Sequence, residues 1–176
     1  MMADRRLFFA LWPDDRQRDL LRNVTIPATR LIEGDAVYRG NWHVTLVFIG
    51  GFPGERVPEL QRAATEIVVE PFRLRFDRVA YWQRPRVACL QSPSVPPALE
   101  ELVSALRSLV RAFGREPEGG AYRPHLTLVR RARAFEPVVL ARPLELDWTG
   151  FELVESVSGP GGVQYHALKQ ELPHHS

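Results

Sequence analysis

At 176 residues, with 45% apolar and 25% charged side chains, the chain has the size and composition of one globular domain with a substantial core. No apolar run approaches the ~20 residues of a membrane-spanning helix, and a formal net charge of +2 is too small for a protein that lives by non-specific attachment to long nucleic acid. The single cysteine, Cys89, excludes an internal disulfide.

The opening apolar run, residues 5–12, predicts a central strand that exits at Pro13. It is too short for a span, and Pro13-Asp14-Asp15 behind it is neither a cleavage site nor a stop-transfer pattern, so a cytoplasmic protein is expected. Asp14 is an N-cap for a short amphipathic helix over 15–24. Residues 25–41 lack periodicity and read as a loop leading to the strand HVTLVF, and a Gly-Pro turn cluster comes after it at 50–54. A second helix is predicted over 57–70. Phe72, Leu74 and Phe76 alternate with charged residues in a half-exposed strand running towards Trp82, with 86–91 as its neighbour. Cys89 lies in that apolar run and reads as a buried, inert thiol. Residues 97–113 give the clearest amphipathic helix, stopped by Gly114. A loop over 115–123 delivers Pro124 and the strand HLTLVR. Residues 144–157 and 163–172 read as two strands joined around Gly159-Pro160-Gly161-Gly162, and the terminal His174-His175-Ser176 as a frayed tail.

One tetrapeptide pattern occurs twice, His43-Val44-Thr45-Leu46 and His125-Leu126-Thr127-Leu128, with 82 positions between the histidines. Six threonines and five histidines in this length would place a Thr two residues after a His about 0.2 times by chance. Period-2 alternation puts each His on the same strand face as its Thr, with the apolar residues behind. Each half of the chain has the order helix, extended chain, motif. It reads as a degenerate duplication: an α+β fold of two lobes in one domain over residues 1–176, with the motif strands facing each other across a cleft.

Two imidazoles and two hydroxyls around one cavity suit acid–base catalysis of an in-line displacement. In-line displacement needs a base for water and an acid for the leaving oxygen, and histidine serves both roles near neutrality. Thr45 and Thr127 are placed to donate to non-bridging oxygens. Of 23 basic residues only Lys169 is lysine. Arginine suits bidentate phosphate contacts, although a coding preference accounts for most of that bias. Arg130 lies three places after His125, so strict alternation aims it away from the cleft. On that reading Arg131 or Arg133 could equally serve as a solvated cation, whereas Arg130 reaches the cleft mouth if the strand ends at Val129. Trp42, Phe48 and Tyr122 border the motifs, as core residues or as platforms for a base.

The paired motifs resemble those of the 2H (two-histidine) phosphoesterases. The flanking sequence, including RLFFALWP, PFRLRFDRVAYW, RPRVACL, YRPHLTLVR and FELVESVSGPGGVQYHAL, is similar to the bacterial and archaeal RNA 2′,3′-cyclic phosphodiesterases, long called 2′-5′ RNA ligases. Trp42 before the first His and Val44 after it depart from the family's more usual aliphatic residue and Leu. The resemblance implies a bilobal α+β fold of antiparallel sheet and helices, with His43 as general acid and His125 as general base. It also implies a substrate of RNA or nucleotide ending in a 2′,3′-cyclic phosphate, opened to a 2′-phosphate. The HLTL-x-R pattern favours Arg130 as a phosphate or base contact. No cofactor and no metal are expected, and the protein should act as a monomer without membrane contact.

Two rivals differ in class. A zinc site wants three or four ligands, and neither motif carries a carboxylate or second His at ligand spacing. H-E-x-x-H and a Gly-rich phosphate loop are both missing from the sequence. A module that holds RNA ends without turnover lacks an aromatic RNP stretch to support it. Ligation, rather than hydrolysis, as the relevant direction stays open.

Overall fold

The computed structural model describes residues 2–169. Among these residues nine strands and three α-helices run in the order β1 (Asp4–Leu11), α1 (Asp15–Thr29), β2 (Asp35–Ala36), β3 (Val44–Pro53), α2 (Val57–Thr65), β4 (Phe72–Trp82), β5 (Val87–Gln91), α3 (Pro97–Ala112), β6 (His125–Arg130), β7 (Val138–Trp148), β8 (Glu152–Gly159) and β9 (Gly162–Ala167). Eight strands form one antiparallel path, β7-β4-β5-β6-β3-β1-β8-β9, and the two-residue β2 pairs with β6. The fold is α+β with two lobes of antiparallel sheet. One lobe is β7-β4-β5-β6, from the middle of the chain, and the other, β3-β1-β8-β9, joins its two ends.

The lobes therefore do not correspond to halves of the sequence. They meet where β3 and β6 pair at one position, Val44 opposite Leu126, so the motif strands adjoin each other within one sheet path. The helices cross over: α1 packs on β7 and α3 on β3, each against the other lobe. Leu99, Leu102, Val103, Leu106 and Val110 bury the predicted stripe of α3. With Phe9, Leu60, Leu74, Leu90 and Leu126 they belong to the main core. A smaller cluster of Phe8, Ala10 and Val154, flanked by Trp12 and Tyr165, lies apart from that core.

Four expected boundaries differ. Helix α1 starts on a capping box, the Asp14 side chain accepting from Gln17 N and Gln17 from Asp14 N. It then runs five residues past the expected end, through Pro27 to Thr29. Pro27 sits in the last turns, where it forfeits one bond, and the Thr29 hydroxyl donates to the Thr25 carbonyl at 2.8 Å. Helix α2 stops at Thr65, ahead of the β-branched run Ile67-Val68-Val69. The single strand expected over 144–157 is two, β7 and β8. Residues 149–151 break it and carry the chain from one lobe to the other. The expected final strand ends at Ala167; residues 170–172, and the histidine tail, lie outside the described residues.

Candidate active site

His43 stands immediately before β3 and His125 opens β6, and the two rings reach one cavity of about 540 Å3 with Thr45, Thr127 and Arg130. All five residues singled out from the sequence are thus brought together. Phe8, Phe48, Trp82 and Tyr165 add aromatic walls, and Arg6 and Arg84 further positive charge. A second hollow of about 330 Å3, lined by Phe9, Ile67, Phe151 and Leu168, is reached by neither motif.

Arg130 and Phe48 arrive by the same local device. In β6 the register with β5 slips between Ala88 and Cys89, which pair with Val129 and Thr127, so Leu128 is an extra residue. In β3 the register with β1 slips between Phe9 and Ala10, which pair with Val47 and Thr45, so Leu46 is extra. A bulge reverses the in/out phase of the strand residues beyond it. Leu128 and Val129 are consequently both buried, as are Leu46 and Val47, and the next residue of each strand rejoins the face of the His and Thr. Arg130 therefore faces the cleft with β6 unbroken through it, where strict alternation had aimed it away. Phe48, 57% exposed, occupies the equivalent place in the other lobe.

Each imidazole is oriented by the backbone two residues earlier. Nδ1 of His43 lies 2.7 Å from the Asn41 carbonyl, and Nδ1 of His125 lies 2.9 Å from that of Arg123. A carbonyl only accepts, so Nδ1 carries the proton in both rings and Nε2 is left for the cleft. Nε2 of His43 meets the Thr45 hydroxyl at 3.0 Å. Thr127 Oγ1 contacts the buried Cys89 sulfur at 3.8 Å, and burial pushes that thiol up to about 11, in keeping with an inert cysteine.

The rings are also held by packing. Trp82 lies against His125 with centroids 4.2 Å apart, and the Arg123 guanidinium covers Trp82 at 4.5 Å. Phe8 and Tyr165 contact His43 at 4.8 and 5.0 Å. Burial lowers the proton affinity of His43 to a pKa of about 4 against a hydrogen bond to Asn41 that raises it, with the charges of Arg130, His125 and Arg18 adding to the depression. Burial lowers His125 as well, opposed by its bond to Arg123 and reinforced by that residue's charge. Both rings are neutral at rest near pH 7.

The sequence reading missed several residues of the site, Phe8 and Trp82 in the cavity wall among them. Asn41 supplies the carbonyl for His43, and its side chain clamps β9, donating to the Val163 carbonyl at 2.9 Å and accepting from Tyr165 N at 3.1 Å. Arg18, buried in α1, donates to the Arg39 and Trp42 carbonyls on either side. Tyr165 completes the cavity wall. The roles of Asn41, Arg18 and Tyr165 depend on β9 and α1 lying beside the first motif, which no local pattern announces. Trp42 is core, while the half-buried Tyr122 donates to the Thr45 carbonyl at 2.7 Å, tying the approach to β6 onto β3.

A two-lobed α+β sheet with a histidine and a threonine from each lobe in one cavity is the architecture of a phosphoesterase family. The model of the 2′-5′ RNA ligase superfamily matches residues 13–157, and the chain belongs to that superfamily. It is 30% identical over 177 residues to the RNA 2′,3′-cyclic phosphodiesterase of Escherichia coli (strain K12), covering 97% of each chain. The Archaeoglobus fulgidus RNA 2′,3′-cyclic phosphodiesterase is 24% identical, over 93% of this chain and 98% of its own. Among solved structures, E. coli LigT in apo form superposes with a TM-score of 0.83 at 28% identity, covering 96% of each chain, and LigT complexed with 3′-AMP gives the same score.

Proposed function

We propose that the protein hydrolyses 2′,3′-cyclic phosphate ends of RNA or nucleotides to 2′-phosphates, by acid–base catalysis between His43 and His125. The observation that carries this reading is the convergence of two backbone-oriented imidazoles and two hydroxyls, one pair from each lobe, on one cavity. The relatives named as RNA 2′,3′-cyclic phosphodiesterases support it.

Water attacks phosphorus opposite the 3′ oxygen; one imidazole takes its proton, the P–O3′ bond breaks, and the other protonates the departing oxygen. The phosphate stays on O2′. Following the family resemblance, His43 is the acid and His125 the base. His43 is neutral in the free protein, chiefly because it is buried, so it takes up a proton from solvent as the substrate binds: the anionic phosphate favours the charged ring and answers the Arg130 and Arg18 charges that also depress it. Thr45 and Thr127 donate to the non-bridging oxygens, and Arg130 answers the phosphate charge. Phe48 and Trp82 offer faces for a base.

The chemistry needs no metal. Among the described residues no group of three or more His, Cys, Asp or Glu is arranged to hold one. Among the same residues no helix is long and apolar enough to cross a membrane. The unit acts as a single two-lobed domain and a cytoplasmic monomer. Phosphorus NMR of 2′,3′-cyclic AMP incubated with the chelator-treated protein tests the reading. A single 2′-phosphate product is expected. A 3′-phosphate, loss of activity restored by one divalent ion, or binding without turnover would overturn it.

A further inference from the structure

Arg130 and Tyr165 reach each other from opposite lobes. Arg130 ends β6 and Tyr165 lies on the edge strand β9, with β3, β1 and β8 between them in the sheet. Arg130 Nη2 nevertheless donates to the Tyr165 hydroxyl at 3.0 Å, and both side chains line the histidine cavity. The neighbouring Arg131 and Arg133 are ion-paired with Asp35 and Glu33. Arg130 instead has a neutral partner. A carboxylate there would answer the guanidinium's charge; a phenol fixes the side chain and leaves the charge for an incoming anion.

The phenol is equally constrained. Its ring stands edge-on to His43 at 5.0 Å and to Phe8 at 5.3 Å, and its backbone N–H is bound by the side chain of Asn41, whose carbonyl orients His43. A hydroxyl that accepts from a guanidinium keeps its own proton to donate. We propose that Tyr165 is a further substrate-binding residue: its O–H and the Arg130 guanidinium act as one pair that grips a non-bridging phosphate oxygen. The proposal rests on the cleft being a phosphodiester site. It assigns to the C-terminal hairpin a direct part in holding the anion, in addition to the four motif side chains.

Tyr165→Phe keeps the ring packing and removes only the hydroxyl. On 2′,3′-cyclic AMP its kcat/KM should fall ~10-fold or more, the range of a lost hydrogen bond to a charged group. Calorimetric binding of 2′-AMP should weaken comparably, while adenosine, which has no phosphate, should bind as to the unaltered protein. Arg130→Ala should lose a similar factor, and the double variant should be little worse than the poorer single one. Unchanged kinetics and 2′-AMP affinity in Tyr165→Phe, an equal loss on adenosine, or losses that multiply in the double variant would overturn the proposal. An unaltered protein that binds 2′-AMP without turning over the cyclic nucleotide would remove the hydrolytic reading, and the binding measurements would still decide the part played by Tyr165.

Discussion

The two imidazoles share a hydrogen bond of the same design, from Nδ1 to the carbonyl two residues before, and share burial that disfavours their charged forms. Since kcat/KM reports groups of the free enzyme, its pH profile should be a bell whose limbs belong to the coupled pair, with a maximum on the acid side of the ordinary histidine value of 6.5. An optimum well above neutrality would contradict this environment. The same shift affects stability. The unfolded chain binds the His43 proton near 6.5 and the folded chain only near 4, so stability is unaffected above 6.5 and falls as pH drops through that window. Relative to His43→Gln, the unaltered protein should lose on the order of 1–2 kcal/mol between pH 7 and 4.5 in chemical denaturation, less than full burial would give because the ring has an open face. An identical pH dependence in the two proteins would refute the shift.

At the scale of elements, the motif strands work because each is bulged. The His-x-Thr pattern was legible from alternation alone, since it precedes the bulge, and so was the stripe of α3. Arg130 was legible only as a contingency, because the phase reversal at Leu128 is set by pairing with β5 rather than by any residue of its own. Helix α1 overran its sequence signals because Thr25 is buried and Thr29 repairs its last turn. The loop before His43 is held by Asn41 from one side and Arg18 from the other. Asn41→Ala keeps the carbonyl that orients His43 but releases β9. It should cost ~10- to 100-fold in kcat, as misplacement of a catalytic group does, with little change in melting temperature. Steady-state kinetics beside a thermal melt checks this, and an unaltered kcat would show that the clamp is not needed for alignment.

At the scale of the molecule, the chain's ends build one lobe and its middle the other, with the helices crossing between them. The duplicated motif was visible in the sequence; this interleaving was not, because it turns on where residues 149–151 send the chain. The buried stripe of α3 contributes no residue to the lining of the cleft. Leu106, fully buried in α3, should cost 2–5 kcal/mol when changed to Ala, roughly the range for a core leucine, while the folded protein keeps its kcat. A loss of kcat in the folded variant would mean that the core sets the cleft geometry directly.

The most direct test of two-histidine proton transfer compares leaving groups. A ribose oxygen needs a proton to depart, whereas nitrophenolate does not, and water needs a base in both cases. With folding verified, His43→Ala should lose ~100-fold or more in rate on 2′,3′-cyclic AMP and far less on bis(nitrophenyl) phosphate, while His125→Ala loses comparably on both. The reverse pattern would exchange the roles, and equal losses of both variants on both substrates would contradict proton transfer by either histidine.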